Sequence, residues 1–260
     1  MYWDNKKLNT DCFEYFVFLL TNKVNITDTN FNFLKENYSN YLKELASIGN
    51  DFGGPSIYFH NRALEEKSKN FLADTHLENI YATLVSWGMH RMGETSTKMV
   101  NYGIFKKSIL DQKENILKLK DFKAENIAER KNEIIQELRQ ICFSFKVSIS
   151  NSKIVGNSKA LAHILPDLIP PIDRQYTIRF FTNEPKNSVN QKGLFKTLSD
   201  FKDLNEEEKC FTHILNKTFD FVNLIKSDTN ITIDSRFNTS YPKIFDNFIM
   251  TYVKAEKNGV

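Results

Sequence analysis

The chain has 260 residues, 41% of them hydrophobic and 13% aromatic, with a formal net charge of +3. That is enough apolar material for a large core, which excludes a disordered chain, and the charge is too mild to mark a nucleic-acid binder by itself. Twenty-two Phe against nine Gly favour helices with short connections over a sheet with glycine turns.

In chain order, Asp11-Cys12-Phe13-Glu14 forms a capping box, and Phe13, Phe16, Val17, Leu20 and Val24 follow at helical spacing. A second helix is predicted from Asp28 or Thr29 to Gly49, with Phe31, Leu34, Tyr38, Tyr41, Leu42 and Leu45 on one face. Asp51-Phe52-Gly53-Gly54-Pro55 then makes a loop. Thr75-His76-Leu77-Glu78 repeats the capping-box pattern ahead of a core helix running to Gly88 or Gly93. Two more helices are expected over residues 101–121 and 124–145. The latter carries Ile127, Ile134, Leu138, Ile141 and Phe145 on one stripe and Glu125, Glu129, Glu133 and Glu137 on a solvated row. Residues 182–193 are polar and predicted as a surface loop. A long helix begins near Asn205-Glu206-Glu207-Glu208, and a last one at Ser240-Tyr241-Pro242. The fold class is therefore all-α: a multi-helix bundle forming a single domain over residues 1–260, divisible into lobes 1–121 and 122–260.

The longest apolar run, Phe16 to Leu20, is far short of the ~20 residues that span a bilayer, so no membrane partner is expected. Asp4, Asp11 and Glu14 are wrong for a signal peptide. Cys12, Cys142 and Cys210 are odd in number and too widely spaced for a metal motif, which points to a reducing, cytoplasmic setting. Neither a metal nor a cofactor is expected. His60, His76, His163 and His213 show no i, i+4 pairing, and no phosphate loop, nucleophile elbow or dinucleotide fingerprint occurs. From Lys98 to Lys159, thirteen Lys or Arg stand against seven Asp or Glu, a local excess that suits a polyanion.

Two segments carry candidate chemistry. In the first, four of the six prolines fall between Pro166 and Pro185, just after Lys159. Asn157 or Ser158 suits an N-cap, placing Lys159 in the first turn of a short helix, where the dipole and partial burial favour its neutral, nucleophilic amine. Asp173 suits the N-cap of the next helix, which keeps its carboxylate ionised. His163 falls one turn after Lys159 on the same face. Read as structure alone, the segment is a proline-stopped helix followed by an aspartate cap.

Gly156, Lys159 and Ala162, then Pro171, Asp173 and Arg179, stand in the order of an active-site pattern. In this the chain resembles the helix-hairpin-helix DNA glycosylases of base excision repair. The resemblance covers roughly 25 residues and implies DNA as partner, Lys159 as Schiff-base nucleophile, and Asp173 as stabiliser of positive charge on the sugar and proton carrier. It also implies a phosphate held at the helix start, with Gly156, Asn157, Ser158, Arg174 and Arg179 as nucleic-acid contacts. The chain departs from the family at Val155 and Asn157, where the hairpin glycines would stand, and its lysine-to-aspartate stretch is about one helical turn shorter. The wider combination of motifs is also similar to uncharacterised microbial proteins of this size, which supplies no activity.

The second segment, Ser86 to Glu94, holds Trp87, His90 and Arg91 between glycines. Trp87 suits stacking on a base or sugar and His90 with Arg91 suits phosphate. Equally, the segment reads as a helix C-terminus with its cations on the dipole and Trp87 in the core. Three functions stand at this point: a glycosylase-like DNA-binding protein, a non-catalytic helical module binding protein or nucleic acid, and an enzyme of another class using His90, Arg91 and Glu94.

Overall fold

A computed structural model describes residues 26–51, 53–90, 98–150, 152–182, 204–234 and 236–257. The helix expected from Asp11, the polar loop after Thr182, and Arg91 and Glu94 lie outside the described residues. Among those described the protein is an all-α multi-helix bundle, and the only β pairing is two isolated bridges, Ile26 with Thr182 and Met99 with Ser148.

The helices are α1 (Thr29–Asn37), α2 (Leu42–Ser47), α3 (Pro55–Lys69), α4 (Asp74–Leu84), α5 (Tyr102–Leu110), α6 (Lys113–Leu119), α7 (Lys131–Ser144), α8 (Ile154–Ile164), α9 (Leu204–Ile225) and α10 (Tyr241–Lys257). A π turn, Val85–Met89, extends α4, and a second, Arg174–Ile178, leads into the single helical turn Arg179–Phe181. One connected apolar cluster runs from Phe31 to Val253 through both halves of the chain. Phenylalanine fills it: Phe105, Phe145, Phe180, Phe181, Phe211, Phe219, Phe221, Phe245 and Phe248 are fully buried. Each contributes about 2 to 3 kcal/mol of burial. Edge-on pairs such as Phe180 with Phe181, whose centroids are 4.9 Å apart, add specificity of packing.

The apolar stripes read from sequence are the buried faces. Ile127, Ile134, Leu138, Ile141 and Phe145 are all inside, as are Phe211, Ile214, Leu215, Val222 and Ile225 on α9 and Phe245, Phe248 and Ile249 on α10. The boundaries differ where side chains find tertiary partners. The second predicted helix breaks into α1 and α2 around the 3-10 turn Tyr38–Tyr41. There Tyr38 packs edge-on against Phe221 and Phe248 and its hydroxyl donates to Asp228. Residues 101–121 divide into α5 and α6, and 124–130 wind as two 3-10 turns before α7. Thr75 does not cap α4, which starts one residue earlier at Asp74. Its hydroxyl donates instead to Glu66 of α3.

Helix α3 has no counterpart in the sequence reading. Pro55 starts it at the first helical position, but its buried side chains are His60, Ala63 and Glu66, a face without an apolar stripe. It packs along α4, also touches α8, and brings His60, Ser56 and Ile57 to the site described next.

Candidate functional site: a lysine-aspartate cleft

Lys159 is not in a first turn. Helix α8 begins five residues earlier, at Ile154, because Glu207 of α9 caps it from across the core. Glu207 Oε2 accepts from the amides of Lys153 at 2.8 Å and Ile154 at 3.1 Å. The first two amides of this helix start, where a phosphate was expected, already serve a buried carboxylate. Gly156, Asn157 and Ser158 are interior residues. A Cβ on Gly156 would lie 3.1 Å from Val147 and 3.2 Å from Met89. Asn157 Nδ2 donates to the carbonyls of Cys142 and Phe145, closing the end of α7. Ser158 Oγ accepts from the amide of Ile172, fixing the proline segment against α8.

Mid-helix, the dipole no longer acts on Lys159. Its partner is Asp173, whose Oδ2 lies 2.7 Å from Lys159 Nζ. The lysine side chain is 9% exposed and the aspartate 32%. An ammonium this buried costs several kcal/mol unless paired, so the carboxylate is the condition for Lys159 being there. Asp173 also caps the following turn as expected, Oδ1 accepting from the Gln175 amide at 2.7 Å. Burial alone would raise its pKa. The charge and hydrogen bond of Lys159, with the amides of Gln175 and Tyr176, outweigh this and hold the carboxyl below its usual range.

Both groups line a cleft of about 370 Å³. Ser56 and Ile57 come from α3, Ser86, Trp87 and Gly88 from the π turn after α4, and Pro171 and Tyr176 from the segment around Asp173. Phe237, Lys243, Asp246 and Met250 close the remaining side. Gly88 takes φ +79°, a left-handed conformation inside the π turn, and lines the cleft beside Trp87. Lys243 Nζ lies 2.7 Å from Asp246 Oδ2, making a second lysine-aspartate pair, both side chains about 95% buried. Desolvation raises the Asp246 carboxyl, only partly offset by Lys243.

Three histidines support Lys159 from behind. Leu72 N donates to His76 Nδ1, so His76 carries its proton on Nε2, which lies 3.3 Å from the His163 carbonyl. His163 Nδ1 donates to the Lys159 carbonyl at 2.7 Å, and His60 Nδ1 then donates to His163 Nε2 at 2.9 Å. These tautomers follow from the bonding partners. Burial lowers the pKa of His60 to about 2 and of His76 and His163 to about 4, so all three are neutral. Trp87 stacks obliquely on His60 and His163, with Lys159 Nζ 5.7 Å from its ring centre.

The sequence candidates therefore separate. Lys159, Asp173 and Trp87 meet at one cleft. Arg174 and Arg179 are half-buried and outside its lining. His90 is exposed, with Nδ1 2.6 Å from the Val85 carbonyl at the end of the π turn, and is also outside the lining. None of the basic side chains from Lys98 to Lys153 lines the cleft. His60, Lys243 and Asp246 were not legible in the sequence as residues of this site. The Lys243/Asp246 spacing was visible, but an i, i+3 pair on a helix ordinarily marks a solvated face.

Among the described residues no cluster of His, Cys, Asp and Glu is arranged to hold a metal ion. No described helix is long and apolar enough to cross a membrane. No family model matches the chain, and the comparisons with curated proteins and with solved structures likewise return no match.

Proposed function

We propose that the protein is a DNA-binding, DNA-glycosylase-like protein that uses Lys159 and Asp173. The observation that carries this reading is their 2.7 Å contact on the wall of a 370 Å³ cleft. The cleft has room for a flipped nucleotide, and Trp87, Tyr176 and Phe237 offer it aromatic surface. In the proposed reaction Asp173 takes a proton from Lys159, freeing the Nζ lone pair. Nζ then forms a bond to the sugar C1′ as the glycosidic bond breaks, its electron pair leaving on the base. The base receives the proton that Asp173 carries. One of the two protons on the resulting ammonium nitrogen then passes to the ring oxygen O4′ as the C1′–O4′ bond breaks, and the nitrogen lone pair closes the C=N bond of an iminium ion on Lys159, which keeps the other N–H. The test is borohydride trapping on DNA, because hydride captures only a protein amine joined to the sugar as an iminium.

A second reading is a non-catalytic helical module that binds a protein or nucleic acid through the same cleft. The absence of the Lys98 to Lys153 side chains from the cleft lining favours it, since a DNA cleft is normally basic. Salt dependence separates the two partner classes: binding through phosphates weakens steeply between 50 and 200 mM salt, by about a thousandfold for six contacts. We also propose a reducing, cytoplasmic setting, in keeping with Cys142 and Cys210 being free and buried.

A further inference from the structure

We infer that Thr177, braced by Asp246, is a positioning residue that holds Asp173 against Lys159. The Asp173 amide donates to Thr177 Oγ1 at 3.1 Å, and Thr177 Oγ1 donates in turn to Asp246 Oδ1 at 3.3 Å, the longer link of the two. The amide can only donate, and the Asp246 carboxylate, ion-paired with Lys243, can only accept, so the Thr177 proton points to Asp246. Thr177 is fully buried and Asp246 is 3% exposed, so neither has water as a ready substitute. Asp246 is itself held by Lys243, whose Nζ also donates to Asn247 Oδ1 at 2.6 Å. Asn247 Nδ2 donates to Asn238 Oδ1, tying this end of the relay to the segment before α10.

The consequence concerns geometry at Lys159. Asp173 meets Lys159 through one carboxylate oxygen and caps Gln175 through the other, so its carboxylate orientation depends on where its backbone sits. Its own carbonyl is tied to Ile178 N at 2.9 Å, which leaves the amide as the other backbone anchor. Thr177 supplies that anchor from the same π turn, and Asp246 ties it to a different helix. The charged groups packed around Asp173 are Lys159 from α8, Lys243 and Asp246 from α10, and Arg174 beside it in the turn. The neutral His60 and His163 stand behind Lys159.

The catalytic meaning of the relay rests on the proposed lysine chemistry, but its existence does not. The test follows the Asp173 carboxyl by carbon-detected NMR titration in the intact chain, in wild type, Thr177→Val and Thr177→Ser. The valine is isosteric and lacks the hydroxyl, and the serine retains it. The relay predicts that Asp173 titrates below 3.8 in wild type, rises towards that value in the valine variant, and returns in the serine variant. If wild type traps abasic DNA, the valine variant should trap more slowly because Asp173 is no longer held against Lys159, with serine restoring the rate. In the wild type alone, the Asp173 amide should be protected from hydrogen exchange, a measurement that stands even if the valine variant fails to fold. Wild-type titration in the valine variant, or an unprotected Asp173 amide, would overturn the relay. A shifted titration with no trapping by wild type keeps the relay and removes the glycosylase reading.

Discussion

Lys159 and Asp173, fourteen residues apart, face each other at 2.7 Å because Ser158 pins the proline segment back along α8. The Ser158 hydroxyl holds the amide of Ile172, the residue immediately before Asp173, so the return of the chain and the pairing are one arrangement. Removing the carboxylate therefore removes more than a helix cap. A cap alone is worth about 1 kcal/mol. Asp173→Ala also strands an ammonium that is 9% exposed, and the expected loss is about 3 kcal/mol by chemical denaturation. A loss near 1 kcal/mol would mean that the pair contributes nothing beyond the cap.

Glu207→Ala is expected to cost about 2 kcal/mol, because it removes the side-chain cap that Glu207 gives the start of α8 and unpairs the buried amide of Ile154. Glu207→Gln keeps an acceptor oxygen and should lose less. The check is the difference between the two variants in urea midpoint at equal slope. Equal losses would show that charge, not the accepted hydrogen bonds, is what α8 requires.

The histidine chain predicts acid sensitivity with a definite sign. Folding depresses the pKa of His60, His76 and His163 from 6.5 to about 2, 4 and 4. The unfolded chain therefore binds more protons than the folded one below pH 6.5. The stability contributed by keeping these groups neutral is complete above that pH and is lost as pH falls towards 4. Near pH 5 the slope corresponds to about three protons, and His76→Gln should remove about one of them. Asp173 acts lower: its depressed pKa contributes stability present above 3.8 and lost as pH falls through its folded value. Unfolding free energies at intervals from pH 7 to pH 3 test both, and a flat profile between pH 6.5 and 4.5 contradicts the neutral histidine chain.

Helix periodicity made much of the core legible. The stripe from Ile127 to Phe145 and those on α9 and α10 alternate at helical spacing, and burial follows directly. Asp173 was legible as a helix cap because it follows two prolines and precedes a helical run, and the structure places it as one; its pairing with Lys159 was implied only by the family resemblance. What the sequence concealed depends on long-range partners. Glu207 reads as an acid favourable to its own helix, yet it caps a different one more than fifty residues away. Helix α3 buries His60, Ala63 and Glu66, polar or small side chains that generate no stripe. Lys243 and Asp246 look like a surface pair, and only the packing of α10 against the cleft reveals that both are buried.

The proposed chemistry requires Lys159 to be a nucleophile poised by Asp173. Borohydride reduction of the protein mixed with DNA containing an abasic site tests it most directly, with Lys159→Ala and Asp173→Asn run beside wild type and their folding checked by circular dichroism. A covalent protein-DNA product is expected for wild type, none for folded Lys159→Ala, and a markedly slower one for Asp173→Asn. No covalent product from wild type, or equal capture by Lys159→Ala, would contradict that chemistry.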